Sequence, residues 1–316
     1  MSEQDKTRAG FAAVIGAPNA GKSTLVNRLV GSKVSIVTQK VQTTRFPVRG
    51  VAMQGQSQIV LVDTPGIFTP RRRLDRAMVR SAWGAGEGAD VVVHLVDVNG
   101  EILVQEGEAK PGERRSAFDV QSIVEGLKGS GTKAILVLNK IDGMRRDKLL
   151  GAAQILFETG VYTEVFMISA LDGSGVDDLK QRLADLMPES PWLYPEDQSA
   201  DIPARLLAAE ITREKIYLRL HEELPYSASV ETTAFTEVAK DGGARIEQTI
   251  FVEREGQRPI VLGKGGQTLK LIGEASRTEL AELFDRPVHL FLHVKVKENW
   301  AEERGSYADW GLDFDV

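Results

Sequence analysis

Gly16-Ala17-Pro18-Asn19-Ala20-Gly21-Lys22-Ser23 spells glycine, four residues, then Gly-Lys-Ser, between an apolar run and a stretch of helical character. That spacing makes a phosphate cradle: the glycines let backbone N–H groups converge on an anion in front of a helix N-terminus. Lys22 supplies a point charge to the β- and γ-phosphates, and the Ser23 hydroxyl is placed to ligate Mg2+. Asp63-Thr64-Pro65-Gly66 directly follows the next apolar run, 59–62. A carboxylate there can reach Mg2+ through water, and the Gly66 N–H can reach a γ-phosphate. Between them lies Gln42-Thr43-Thr44-Arg45. A threonine hydroxyl in this segment would ligate the metal only while the γ-phosphate is present, which makes the segment a first switch. Thr44 is the preferred ligand and Thr43 the alternative.

Asn139-Lys140-Ile141-Asp142 follows the apolar run 134–138. The Asp142 carboxylate can accept from N1–H and the 2-amino group of guanine, donors that adenine does not offer at that edge. Asn139 can contact N7 and brace the neighbouring loops, and the Lys140 stem can lie along the base. Ser169-Ala170 stands after the run 165–168, where a backbone N–H can meet guanine O6. Any one of these motifs can arise by chance; four in this order point to GTP/GDP as the ligand and to a GTPase.

A second cluster lies far downstream, at Val261-Leu262-Gly263-Lys264-Gly265-Gly266-Gln267-Thr268-Leu269-Lys270. It reads as an apolar strand end, a Gly-x-x-Gly turn and a helix start. Such a turn lets a nucleic-acid backbone approach closely. Gly263, Lys264, Gly265, Gly266 and Lys270 are the candidate RNA contacts, with Ile260 and Leu262 beside them as apolar lining. His289 and His293 flank a strand and read as strand-face residues, since no third metal ligand is evident. Arg71-Arg72-Arg73 follows the Asp63 turn; it reads as a solvated face or as a nucleotide-sensitive contact to RNA or a ribosomal partner.

The elements that must carry these residues follow from periodicity. Runs 11–15, 59–62, 91–96, 134–138 and 165–168 read as buried strands alternating with helical stretches, which predicts an α/β, doubly wound sheet with its active loops at the strand C-terminal ends. Residues 188–202 are rich in proline and acid and read as a linker, after a short N-terminal tail (1–9) and a domain at 10–187. Residues 203–316 read as helix, two strands (226–235 and 244–253), helix to about 284, strand 288–296, and an acidic tail with one more helix. The first helix is expected to run from 203 to about 223. Composition sets outer limits. The 316 residues carry a net charge of −6, with 42% hydrophobic and 27% charged residues, so nucleic acid would be met by a local basic surface. The chain contains no cysteine, which excludes disulfides, thiol catalysis and cysteine-ligated metals. Residues 1–10 lack the apolar core of a signal peptide, and no run approaches the roughly 20 residues of a membrane span.

With these motifs in hand, the chain resembles the Era family, within the translation-factor-like branch of P-loop GTPases. The resemblance runs from residue 11 to 316 and is most specific at residues 16–23, 42–45 and 63–66, at Leu193-Tyr194-Pro195-Glu196-Asp197 and at Glu223-Leu224-Pro225-Tyr226. It departs at 101–118, which is longer and more polar than the usual connection. The resemblance implies a P-loop GTPase domain followed by an α+β type II KH domain. It also implies binding to the 3′ region of small-subunit (16S) ribosomal RNA, a part in 30S subunit assembly, and nucleotide control of that engagement. Many GTPases place a water-orienting glutamine just after Asp-x-x-Gly; Ile67 stands there, so unaided hydrolysis is expected to be slow. Relatives with an apolar residue there and an asparagine matching Asn19 use K+, which makes Asn19 the candidate potassium ligand; the alternative is that Asn19 shapes the loop. A cytoplasmic monomer is expected, with any membrane contact peripheral and on the cytoplasmic face of the inner membrane. Three other readings are weaker. An RNA-modification GTPase lacks a visible modification domain. A module with structural GTP differs by single-turnover behaviour. A small-molecule kinase conflicts with residues 139–142.

Overall fold

The computed structural model describes residues 6–220, 224–239 and 241–316, and the chain divides into two compact units. The first holds residues 1–35, 44–201 and 310–316; the second holds 36–43 and 202–309. Residues 1–5 of the N-terminal tail, the last residues of the helix expected to reach about 223, and Glu223 of the second Era-like motif lie outside the described residues.

The first unit runs β1 (Arg8–Ile15), α1 (Lys22–Val30), β2 (Val48–Gln54), β3 (Ser57–Asp63), α2 (Arg73–Glu87), β4 (Val91–Asp97), α3 (Val98–Gln105), α4 (Pro111–Ser130), β5 (Ala134–Asn139), α5 (Arg146–Phe157), β6 (Tyr162–Met167), α6 (Val176–Leu186) and β7 (Ala200–Asp201). Its sheet has the order β6-β5-β4-β1-β3-β2-β7. Strands β6, β5, β4, β1 and β3 are parallel, while β2 hairpins back against β3 from Val48 opposite Asp63 to Gln54 opposite Ser57. Two apolar clusters cover the two faces: Leu25, Leu61, Leu95 and Leu183 on one, Ile15, Ile123, Leu136 and Leu138 on the other. Coverage on both faces is why the parallel strands are continuous apolar runs and were legible as such. Strand β2 escaped notice because Arg49, Gly50 and Gln54 interrupt its pattern. Its Gly50 is a packing feature: a Cβ there would meet Val30 Cγ2 at 2.7 Å.

The structure places one segment that had no structural expectation and corrects two expectations. Residues 101–118 are mostly helical, shared between α3 and α4, and Pro111 opens α4 at the position where a missing N–H costs nothing. Residues 188–201 run along the first unit rather than as a free linker. Ser190 N donates to Thr7 O (3.1 Å), Val51 N donates to Ser199 O (2.9 Å), and the buried Gln58 side chain binds the backbone of Leu193 and Tyr194. Residues 310–316 belong to the first unit although they follow the second in sequence.

The second unit runs α7 (Ala204–Arg219), β8 (Ala228–Val238), β9 (Gly243–Val252), α8 (Arg258–Leu262), α9 (Gln267–Leu283), β10 (Val288–Val296) and α10 (Arg304–Asp309). The sheet order is β10-β9-β8, with β8 antiparallel and β10 parallel to β9. The apolar run expected as a strand end before the Gly-x-x-Gly turn is the short helix α8: Pro259 opens it and Val261 is its one fully buried residue. Four apolar residues cannot by periodicity distinguish strand from helix. The core gathers Ile216, Ile250, Val261 and Ile272 at one end and Ile211, Ile246 and Leu280 at the other. Ile36, from far upstream in the sequence, is part of the latter cluster.

Candidate active site

The parallel strands end on one side of the first unit, and the candidate phosphate- and base-contacting residues stand at or beyond the C-terminal ends of β1, β3, β5 and β6. Gly16 follows β1, and a Cβ there would sit 2.3 Å from Leu95 O, so only glycine lets the loop cross β4. Lys22 is 6% exposed and its Nζ donates to Gly16 O (3.1 Å) and Ala17 O (2.9 Å), which arches the loop over the ammonium. Burial lowers its pKa to about 8, partly countered by the Asp63 charge. Asn19 sits in the left-handed region at φ 62°, a conformation that asparagine tolerates better than most residues.

Ser23 Oγ, Thr44 Oγ1 and Asp63 Oδ2 converge: Ser23 donates to Asp63 at 2.7 Å, Thr44 stands 2.9 Å from Ser23, and Thr44 to Asp63 is 3.3 Å. Oxygens at neighbouring corners of an Mg2+ octahedron stand about 2.9 Å apart, given metal–oxygen bonds near 2.05 Å. Asp63 Oδ1 is buried with no hydrogen-bond partner, and burial raises the carboxyl's pKa above the usual carboxylate range. Hard oxygen donors, cis spacing and an unsatisfied carboxylate oxygen fit the ion. Thr43 points elsewhere: its hydroxyl meets Thr38 Oγ1 (2.6 Å) and Lys40 O (2.7 Å). Gln42 has φ 57° and Arg45 is buried. Thr64 Oγ1 donates to Val14 O (2.7 Å), tying the turn to β1. Pro65 leads into Gly66, where a Cβ would stand 3.0 Å from Pro18 Cα and N, so the turn and the phosphate loop touch through a missing side chain. Ile67 is buried, and its N–H donates to Gly16 O (3.1 Å).

At the base end, Asn139 is a brace. It is 2% exposed; Nδ2 donates to Ala20 O (2.7 Å) and Oδ1 accepts from Ala170 N (2.9 Å). Gly21, at φ 99°, leaves the room: a Cβ would lie 2.4 Å from Asn139 Nδ2. Lys140, at φ 66°, reaches Asp97 Oδ2 (2.6 Å) across the end of β4. The exposed Asp142 accepts from the buried Ser169 hydroxyl (2.8 Å), which fixes its carboxylate at the rim. Sequence reasoning missed Arg28. From α1 its guanidinium donates to Ala170 O (3.3 Å) and Leu171 O, holding the 169–173 loop from outside. An arginine amid a helical run carries no signal of this, because its partners lie more than 140 residues away.

In the second unit the turn stands between α8 and α9. Gly263, Gly265 and Gly266 have φ of 73°, 59° and 79°, and a Cβ on Gly263 would meet Thr268 N at 2.8 Å. Lys264 and Lys270 are exposed and Ile260 is 56% exposed, so the turn presents cations and an apolar side chain to solvent. His289 pairs with Asp241 (2.7 Å), and among the described residues no group of three His, Cys, Asp or Glu is arranged to hold a metal.

A family model described as 50S ribosome-binding GTPase matches residues 11–140, and one described as KH domain matches 223–301. GTPase Era of Caulobacter vibrioides is 73% identical over 311 residues, spanning 98% of each chain. The chain belongs to the Era family of GTPases. Among solved structures, a point variant of Aquifex aeolicus Era bound to GDP·AlF4− superposes with TM-score 0.87 at 35% identity, covering 98% of this chain and 100% of that one. An Era complex with MgGDPNP and nucleotides 1506–1542 of 16S ribosomal RNA gives 0.85 at 36% identity, with the same coverage. As an Era-family enzyme the chain hydrolyses GTP, with a P-loop GTPase fold and a KH domain.

Proposed function

We propose that this GTPase binds the 3′ region of 16S ribosomal RNA through its KH turn, acts in 30S subunit assembly, and uses its nucleotide state to set that engagement. The RNA reading is supported by the Era relative solved with nucleotides 1506–1542 of 16S RNA and by the glycine turn with Lys264 and Lys270 at its edge. Ser23, Thr44 and Asp63 would hold Mg2+, which neutralises phosphate charge and orients the γ-phosphate. Lys22 and the loop amides stabilise charge on the bridging and γ oxygens as water adds in line and GDP departs. Asp142 selects guanine, while Asn139 and Ser169 hold it in place. No side chain at Ile67 can orient water, so turnover without help is slow, and Asn19 is the residue to test for K+ dependence. We read the protein as a cytoplasmic monomer. No helix among the described residues is long and apolar enough to cross a membrane, and any membrane contact would be peripheral.

The observation that carries nucleotide control is the junction between residues 43 and 44. Residues 36–43 are built into the second unit: Val37 N donates to Glu214 Oε1 (2.8 Å), Lys40 Nζ donates to the Tyr217 and Leu220 carbonyls at the end of α7, and Arg213 donates to Thr43 O. The next residue, Thr44, supplies its hydroxyl to the Ser23–Asp63 cluster. A γ-phosphate that captures Thr44 therefore pulls on a strand of chain anchored to the first KH helix. The test is affinity for the 1506–1542 RNA in the GDPNP and GDP states. A tenfold or greater difference that Lys40→Met reduces supports the coupling; equal affinities in both states refute it.

A further inference from the structure

Residues 71–80 read Arg-Arg-Arg-Leu-Asp-Arg-Ala-Met-Val-Arg, five arginines in ten residues. The one acid, Asp75, is buried and spent on capping α2 through the Arg71 and Arg72 N–H groups (3.0 Å each). Arg73, Arg76 and Arg80 fall at i, i+3 and i+7, one stripe of the helix. The stripe is covered from within the first unit by residues 310–316, whose sequence Trp-Gly-Leu-Asp-Phe-Asp-Val is acidic and aromatic. Arg73 Cζ lies 4.3 Å from the centre of the Phe314 ring, and Arg73 Nη1 donates to Phe314 O (3.1 Å). Arg76 Nε donates to Val316 O (3.2 Å), and Arg80 stands 3.6 Å from Asp313 Oδ2. Leu312 is buried beneath.

Cation–ring stacking, a carboxylate and carbonyl oxygens are what arginines take in the absence of a polyanion. The Arg76 and Arg80 contacts are exposed, with the Arg80 and Asp313 side chains 65% and 49% accessible, so each is weak alone, while the Arg73–Phe314 contact is part-buried. We propose that residues 310–316 form a displaceable acidic strap over an RNA-phosphate contact surface made by Arg73, Arg76 and Arg80. The partner is RNA because the three stripe side chains are all cations and offer planar guanidinium groups for phosphate. The helix begins seven residues after Gly66, so the turn that meets the γ-phosphate is joined directly to the stripe. The inference rests on the RNA-binding GTPase reading above and adds a second, masked contact to the KH turn.

The experiment measures binding of fluorescent 16S nucleotides 1506–1542 to the full GDPNP-loaded chain across a salt series, for wild type, Asp313→Asn with Phe314→Ala, and that pair combined with Arg76→Gln and Arg80→Gln. Leu312 is left intact to preserve packing, and Asp313→Asn alone serves as the milder variant. Each phosphate engaged on a single strand adds about 0.7 to the salt slope, so freeing three arginines adds about 2; the affinity gain of the strap variant then grows roughly fifteen-fold as salt falls from about 400 to about 100 mM. The quadruple variant, which keeps Arg73, is expected to lose about two-thirds of the added slope and most of the gain. Unchanged affinity and slope in the strap variants, with wild type binding normally, overturns the strap alone. A gain that survives Arg76→Gln and Arg80→Gln undiminished also overturns it. No RNA binding by any form overturns the underlying reading.

Discussion

Asn139→Ala separates a structural brace from a base contact. The wild-type side chain satisfies two backbone groups that have no other named partner, the Ala20 carbonyl and the Ala170 N–H, at sites 1% and 2% exposed. Removing a partner from a buried backbone group costs about 1–3 kcal/mol, so the substitution is expected to lower unfolding free energy by about 2–5 kcal/mol. Nucleotide-free protein carries the decision, because no base is present and a lost N7 contact cannot contribute. If the loops open locally instead, the same free energy appears in binding: at about 1.4 kcal/mol per tenfold, GDP weakens by roughly thirtyfold to a few thousandfold. Urea unfolding of the empty protein and the dissociation rate of a fluorescent GDP are the two assays. Arg28→Ala, which removes half-exposed bonds to the far side of the same loop, should cost about 1 kcal/mol and raise the off-rate less. Wild-type stability of empty Asn139→Ala together with a wild-type GDP off-rate would refute the brace. A wild-type off-rate alongside lowered stability would show that the brace does not reach the nucleotide.

Gly66→Ala should spare GDP and lose preference for GDPNP, since its Cβ would press on Pro18 where the turn must meet the γ-phosphate; competition binding with both nucleotides checks this. Gly263→Ala combines a left-handed φ of 73° with a Cβ 2.8 Å from Thr268 N, so it should cost about 1–3 kcal/mol in the KH unit and abolish RNA binding while leaving GTP turnover in the absence of RNA intact. Glu101 and His94 give opposed pH dependences: burial, then Asp97, raises Glu101 to about 7, and burial, then Lys22, lowers His94 to about 3. With unfolded values near 4.5 and 6.5, Glu101 makes stability fall with rising pH between about 4.5 and 7. His94 makes it rise between about 3 and 6.5, each by at most about 1.4 kcal/mol per unit. Their slopes cancel across about 4.5–6.5; Glu101→Gln should therefore leave stability rising with pH there and raise Tm at pH 8, as calorimetry can read.

The chemistry of the site was legible because it depends on local strings at strand ends. Gly16–Ser23, Asp63–Gly66 and Asn139–Asp142 each act through a few consecutive residues, and the apolar strands before them are covered on both faces. What stayed hidden depends on partners distant in sequence. Asn27, with no motif, accepts from Val34 and Ser35 N–H groups (2.9 Å each) to fold back the chain after α1. Arg28 needs the 169–173 loop to have meaning. Strand β2 was lost to polar interruptions, and α8 to an apolar run too short to show a period. Residues 36–43 and 310–316 are the deepest omission, since nothing in their composition tells which unit they join.

These two segments flank the parts of the first unit that a γ-phosphate would move: 36–43 leads into Thr44, and 310–316 lies on the helix that follows Gly66. The first lacks helix or strand, and its polar groups are satisfied partly within the segment, through Thr38, Lys40 and Thr43, and partly from α7 and the residue after it. Five such bonds join it to Arg213, Glu214, Tyr217 and Leu220. At a net of about 1 kcal/mol each they sum to about 5 kcal/mol. Moving a two-state equilibrium from 1:99 to 99:1 takes about 5.5 kcal/mol. The anchoring of the segment on α7 is thus close to the free energy that capture of Thr44 would have to supply for nucleotide state to move the segment. A much larger anchor would hold 36–43 on α7 whatever the nucleotide; a much smaller one would transmit nothing.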